Sequence, residues 1–127
     1  MRILLDTHAI LWAVLTPENL SPTAKRLLES DNELLISIAS LWEIVIKTSL
    51  GKIHLGAPPA EAFPEIVDSL RAEILPVAVE HLLAVAELPP HHGDPFDRML
   101  IAQSIAEDAP LLSTDGVFAK YAVPILW

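Results

Sequence analysis

His91-His92-Gly93-Asp94-Pro95-Phe96-Asp97-Arg98, running into Met99-Leu100-Ile101-Ala102-Gln103-Ser104-Ile105-Ala106, reads as a polar loop that breaks into a helix. Asp94 stands where an N-cap belongs, Pro95 at the first helical position and Asp97 two residues further on. Two readings stand side by side. The carboxylates are a capping arrangement, or they are half of a metal site at a helix end that gathers charge chemistry into a small volume.

Working outward, the helix is expected to run from Pro95 to about Glu107 and to feed a strand at Leu111-Leu112-Ser113, broken by Thr114-Asp115-Gly116. Val123 to Leu126 is expected at a sheet edge, where Pro124 is tolerated. Upstream, Arg2 to Leu5 is an apolar run ending at Asp6, as in a strand buried on both faces. Thr7 to Leu15 reads as a helix, and Thr16 to Leu20 as a turn. Ser21-Pro22 opens a helix through Glu29, Leu34-Leu35-Ile36 is a second strand, and a helix starting at Ser37 or Ala39 closes at Gly51. Pro58-Pro59 precedes a helix from about Ala60 to Arg71, Ala72 to Val77 resembles a strand, and Glu80 to Glu87 a short helix. Strands alternating with helices predict an α/β three-layer sandwich with a mostly parallel sheet, folded as a single domain over residues 1–127.

Composition narrows the function. A hydrophobic fraction of 52% with only short apolar runs predicts a globular chain, not a membrane-spanning one, and Asp6 interrupts what would be a signal-peptide core. Without cysteine there is no disulfide, thiolate ligand or cysteine nucleophile, which fits a reducing, cytoplasmic setting. The net charge of −9 argues against free-standing nucleic-acid binding by charge alone. Action on nucleic acid would require a metal or a local basic patch, for which Lys47, Lys52, Arg98 and Lys120 are the candidates. A basic protein partner is the other reading of the charge.

In an open parallel sheet the functional crevice lies beyond the carboxyl ends of the strands. Asp6 ends the first strand, Asp115 follows the fourth, Glu43 lies in the helix after the second, and Asp97 opens the helix before the fourth. Clustered carboxylates repel, and a divalent cation removes the conflict. Mg²⁺ or Mn²⁺ suits oxygen ligands and serves in-line attack of water on a phosphodiester. Each acid also has a plain structural reading. Asp6 caps a helix, Glu43 pairs with Lys47 one turn on, Asp97 completes a capping box with Asp94, and Asp115-Gly116 is a turn dipeptide. Only the joint pattern favours chemistry.

Leu4-Leu5-Asp6-Thr7-His8, Ser37-Ile38-Ala39-Ser40-Leu41-Trp42-Glu43-Ile44, Asp94 through Gln103, and Leu111-Leu112-Ser113-Thr114-Asp115 together resemble the PIN domain, and within it the VapC-type ribonuclease toxins of toxin–antitoxin pairs. The resemblance spans the chain with its blocks in order. It implies a Mg²⁺- or Mn²⁺-dependent endoribonuclease acting on RNA, silenced by a VapB-type antitoxin and homodimeric. By position, Asp6, Glu43, Asp97 and Asp115 correspond to the family's acidic quartet, and Thr7 and Ser113 to its hydroxyl positions. Asp6 and Asp97 are the expected metal ligands, Glu43 helps hold the metal or orients water, and Asp115 sits at the rim. Arg98 contacts phosphate, pairs with an acid of the cluster, or is simply solvated. An acidic toxin suits a basic antitoxin tail, with Trp12, Trp42 and Phe96 as candidates to line its groove; for Trp42, set in an apolar run, core packing is the expectation.

Competing readings carry specific objections. Adjacent His91 and His92 seldom present both rings to one zinc ion. No G-x-S-x-G elbow, phosphate-binding loop or dinucleotide fingerprint occurs. An aspartyl phosphatase would need a second Asp two residues after Asp6, where His8 stands. A catalytically inactive PIN-fold interaction module would have no use for four acids.

Overall fold

Ile3, Leu4 and Leu5 are completely buried, which is possible only for a strand covered on both sides. Around this strand the computed structural model, describing residues 1–127, sets β1 (Arg2–Leu5), α1 (Thr7–Leu15), a 3₁₀ turn (Pro17–Asn19), α2 (Pro22–Glu29), β2 (Glu33–Ser37) and α3 (Ile38–Ser49). There follow α4 (Pro59–Leu70), β3 (Glu73–Leu75), α5 (Val79–Glu87), α6 (Pro95–Glu107), β4 (Leu111–Leu112), a second 3₁₀ turn (Gly116–Lys120) and β5 (Ile125–Leu126). The five strands form one sheet in the order β3-β2-β1-β4-β5, and every pairing is parallel.

Alternate residues of β1 serve opposite layers. Ile3 and Leu5 join Ile10, Ala24 and Ile66 of α1, α2 and α4, whereas Leu4 joins Leu100 and Ile101 of α6 with Phe118 and Tyr121. This is the three-layer sandwich. Helix α6 carries five consecutive buried residues, Leu100 to Ser104, so its middle is enclosed all round, while Ile105 and Ala106 beyond it are exposed. It packs on α5 and against α3.

Element ends depart from the sequence expectations in instructive ways. The third strand is shorter than the run 72–77, because Pro76 lacks the N–H needed to continue the ladder. Helix α4 begins at Pro59 and stops at Arg71, which takes the left-handed conformation with φ 51°. Helix α3 ends before Gly51, whose φ of +72° suits a residue without a Cβ. Trp42 does not pack in the core. It is 61% exposed, because Ala39, Ser40, Leu41, Glu43 and Ile44 form the inward face of α3 and leave Ile38, Trp42 and Val45 as an outward apolar stripe. The helix is apolar on two faces, so composition alone could not say which was covered.

Candidate metal centre at the carboxyl edge of the sheet

Leu5 of β1 pairs with Ile36 of β2 and Leu112 of β4, so Asp6, Ser37 and Ser113 leave the sheet at one edge. The next turn of chain fixes each of them. Asp6 caps α1 by accepting from the Ala9 N–H at 2.6 Å, and its other oxygen accepts from the Ser113 hydroxyl at 2.5 Å. The Asp115 N–H donates to that same hydroxyl oxygen at 3.0 Å, and the Asp115 carboxylate caps the 3₁₀ turn through the Val117 N–H. Ser113 thus ties the first acid to the fourth.

Asp97 arrives from the opposite layer on the first turn of α6. Asp94 caps that helix, accepting from the Asp97 N–H at 2.9 Å, and the predicted reciprocal bond from an Asp97 oxygen is absent. The Asp97 carboxylate instead faces His92, with Nε2 3.4 Å from Oδ2. Glu43, buried on α3, is met by Lys47 at 2.9 Å.

The electrostatics separate these acids. Burial pushes the Asp6 carboxyl above its usual range, against the hydrogen bonds from Ser113 and Ala9 and with help from the Asp115 charge. Burial, and then the neighbouring charge of Asp94, push Asp97 up to about 6; Asp115 adds to this and His92 opposes it. Asp115 therefore acts on both Asp6 and Asp97, and no lysine or arginine pairs with either. Glu43 differs, its charge being already balanced.

Do these residues fit a hard divalent cation? The donors are all oxygen, and two buried hydroxyls beside the acids, Thr7 Oγ1 next to Asp6 and Ser40 Oγ one turn before Glu43, have no hydrogen-bond partner. Buried polar atoms without partners are rare and mark places where water or an ion belongs. No three of the four acids bring oxygens within 4.8 Å of one another, so the geometry is that of a loose bowl. Mg²⁺ tolerates this, since it keeps several waters and takes one or two carboxylates directly. The donor chemistry of Asp6 and Asp97, both of which feel the Asp115 charge, fits such a cation, whereas Glu43 is tethered by Lys47.

One trio is tighter: Glu80, His81 and Glu107 lie within 4.8 Å. It sits at the other end of the sheet, where Arg2 opens β1 and reaches Glu107 at 3.4 Å. His81 Nδ1 accepts from the Ala78 N–H at 2.9 Å, which puts the proton of a neutral ring on Nε2, toward Glu107 at 3.0 Å. The ring is fully occupied as a latch between α5 and α6.

Two expectations are corrected here. Arg98 turns away from the acids and donates to the carbonyls of Pro89, His92, Val85 and Leu88 and to the Tyr121 hydroxyl, bolting the loop before α6 to the end of α5. A planar five-donor group suits that task, and both terminal nitrogens are engaged with it. The three aromatics do not line one groove either. Trp12 packs on His8 and Trp127, whereas Trp42 packs edge-on against Phe96. Sequence reasoning missed Tyr121, which touches Arg98 and His92 from a distant 3₁₀ turn that no local pattern links to them.

An all-parallel five-stranded sandwich with carboxylates at its carboxyl edge is the architecture of a known class, and the chain belongs to the PIN domain family, whose model matches residues 3–124. Among its relatives is ribonuclease VapC22 of Mycobacterium tuberculosis, 27% identical over 122 residues that cover 96% of this chain and 93% of that protein. Solved structures with the same fold include VapBC2 from Rickettsia felis bound to a promoter DNA fragment (TM-score 0.75, 18% identity, 98% of this chain and 97% of that one). FitAcB from Neisseria gonorrhoeae is similar over 98% of this chain and 96% of its own, with a TM-score of 0.66 and 17% identity.

Proposed function

We propose that this chain is a Mg²⁺- or Mn²⁺-dependent endoribonuclease, the VapC-type toxin of a VapBC pair. The observation that carries this reading is the pair Asp6 and Asp97. Both are raised by burial, both feel Asp115, and neither is paired with a lysine or arginine. The ribonuclease relative, similar over nearly its whole length, supports the same chemistry.

A divalent cation held by Asp6 and Asp97 would supply an activated water and screen the charge developing on a phosphodiester. The chain's own contributions are positional. Ser113 and the Ala9 N–H orient the two oxygens of Asp6, and Asp94 fixes the first turn of α6 and with it the backbone of Asp97. In this reading Glu43 would orient water once Lys47, its ion-pair partner, shifts toward substrate phosphate, and the exposed Lys52 and Lys120 would serve the same use. Partners follow from composition and surface. The net charge of −9 suits a basic antitoxin segment. The groove of about 520 Å³ bordered by Ile38, Trp42, Leu82 and Phe96 suits a second copy of the chain.

The test is cleavage of RNA by the purified protein, lost with EDTA and restored by Mg²⁺ or Mn²⁺. Asp6→Asn and Asp97→Asn should each lower the rate at least about a hundredfold. Asn caps a helix as well as Asp does, so the Asp6 variant keeps its fold. Full activity in either variant would remove the site assignment. Turnover of small phosphoesters with RNA left intact would favour the phosphatase, and partner binding without any turnover the inactive interaction module.

A further inference from the structure

Beside the acids lies a chain of donors that the proposed chemistry has not used. Arg98 Nη1 donates to the Tyr121 hydroxyl oxygen at 3.2 Å, and that hydroxyl lies 2.7 Å from His92 Nδ1. The other ring nitrogen, Nε2, is buried without a hydrogen-bond partner, 3.4 Å from Asp97 Oδ2. A guanidinium can only donate. The phenol oxygen accepts from it and is thereby favoured to pass its own proton toward Nδ1, which leaves the proton of a neutral imidazole on Nε2. Every donor then points the same way, from Arg98 through Tyr121 and His92 to Asp97.

We propose that His92 is a positioning residue: clamped by Tyr121, it presents Nε2–H to Asp97 Oδ2 and sets the orientation in which that carboxylate receives the cation. The inference rests on Asp97 being a metal ligand, as argued above. The clamp is rigid for physical reasons. Tyr121 is buried, its ring packs edge-on against His91 and His92 with centroids 5.0 and 5.4 Å away, and Arg98 ties the loop carbonyls to α6. The contact at 3.4 Å is longer than a good hydrogen bond, and such contacts at reactive sites tighten when the ligand arrives. A plain packing role for His92 would need the Tyr121 contact alone. It would not need a buried Nε2 whose neighbouring acceptor is the acid at the start of α6.

The two ring nitrogens can be tested separately by Mn²⁺ calorimetry on the full chain, with RNA cleavage as a second readout. In His92→Asn the amide takes the place of Nδ1, keeping the reach to Tyr121 and losing Asp97. In His92→Gln the amide nitrogen takes the place of Nε2. His92→Asn should weaken Mn²⁺ binding about 10- to 100-fold, the usual range for losing a partner of a metal-ligating side chain, with Gln recovering most of it. Melting temperatures of the metal-free variants should stay close to that of the parent chain. Wild-type Mn²⁺ affinity in His92→Asn overturns the inference, as does equal loss in Asn and Gln. Asp97→Asn is the control: if it binds Mn²⁺ unchanged, the site reading falls first, and the role of His92 with it.

Discussion

Asp97 carries a cost that the metal-free protein should reveal. Its carboxyl titrates near 6 in the folded chain against the usual 3.8, so between those values the folded form holds a proton that the unfolded form has released. The stabilisation from that proton is complete below the usual carboxylate range and is lost as pH rises through about 6. Acidifying the metal-free protein from neutrality to pH ~5 should raise its melting temperature relative to Asp97→Asn, and the difference between the two should flatten above pH ~7. A difference that grows with pH instead would contradict the burial argument. Arg98 makes a second prediction of this scale. Its bonds to loop carbonyls are charge-assisted and partly buried, so Arg98→Ala should lower stability by about 2–3 kcal/mol in urea unfolding. Lys, a point charge without the planar fork, should recover less than half. A substitution without effect would return Arg98 to the solvated class.

At the scale of elements, α3 does two jobs on two faces. Inward, Ser40 and Glu43 are buried; outward, Ile38, Trp42 and Val45 are exposed beside Leu82 of α5 and Phe96 of α6. Exposed aromatic and aliphatic side chains gathered at one groove mark an association surface. Trp42→Glu should weaken self-association by more than about tenfold, as expected of a central aromatic anchor. Sedimentation over a concentration series would measure it. The helix content should be unchanged, because a side chain 61% exposed contributes little to the core. Association identical to the parent chain would show that this groove is not a self-association surface.

For the molecule as a whole, the acidic balance and the carboxyl-edge bowl point to one behaviour. A nuclease of net charge −9 gains little from general attraction to RNA, so the proposed metal and a few local cations would have to carry the contact with phosphate. Its natural counterweight is a basic partner. Production of the chain without such a partner should slow bacterial growth, and Asp6→Asn should relieve the effect while still accumulating as folded protein. Unimpaired growth with active protein would weaken the toxin role and leave the nuclease chemistry standing.

Much of this architecture was legible residue by residue. The run Ile3-Leu4-Leu5, the Ser21-Pro22 and Asp94-Pro95 helix starts, and the alternation of strands with helices dictate a parallel sandwich, because period, caps and proline act locally. The order of blocks likewise placed Asp6, Glu43, Asp97 and Asp115 at positions from which a parallel sheet can bring them toward one edge. What chain neighbours could not determine was which face of a helix apolar on two faces is covered and what a long side chain reaches. Trp42 lies outside, Arg98 turns back onto carbonyls, and Glu43 is balanced by Lys47. Tyr121 meets His92 only because β4 and the turn after it return beside α6. Those outcomes depend on contacts between residues distant in the chain, and only the packed layers decide them.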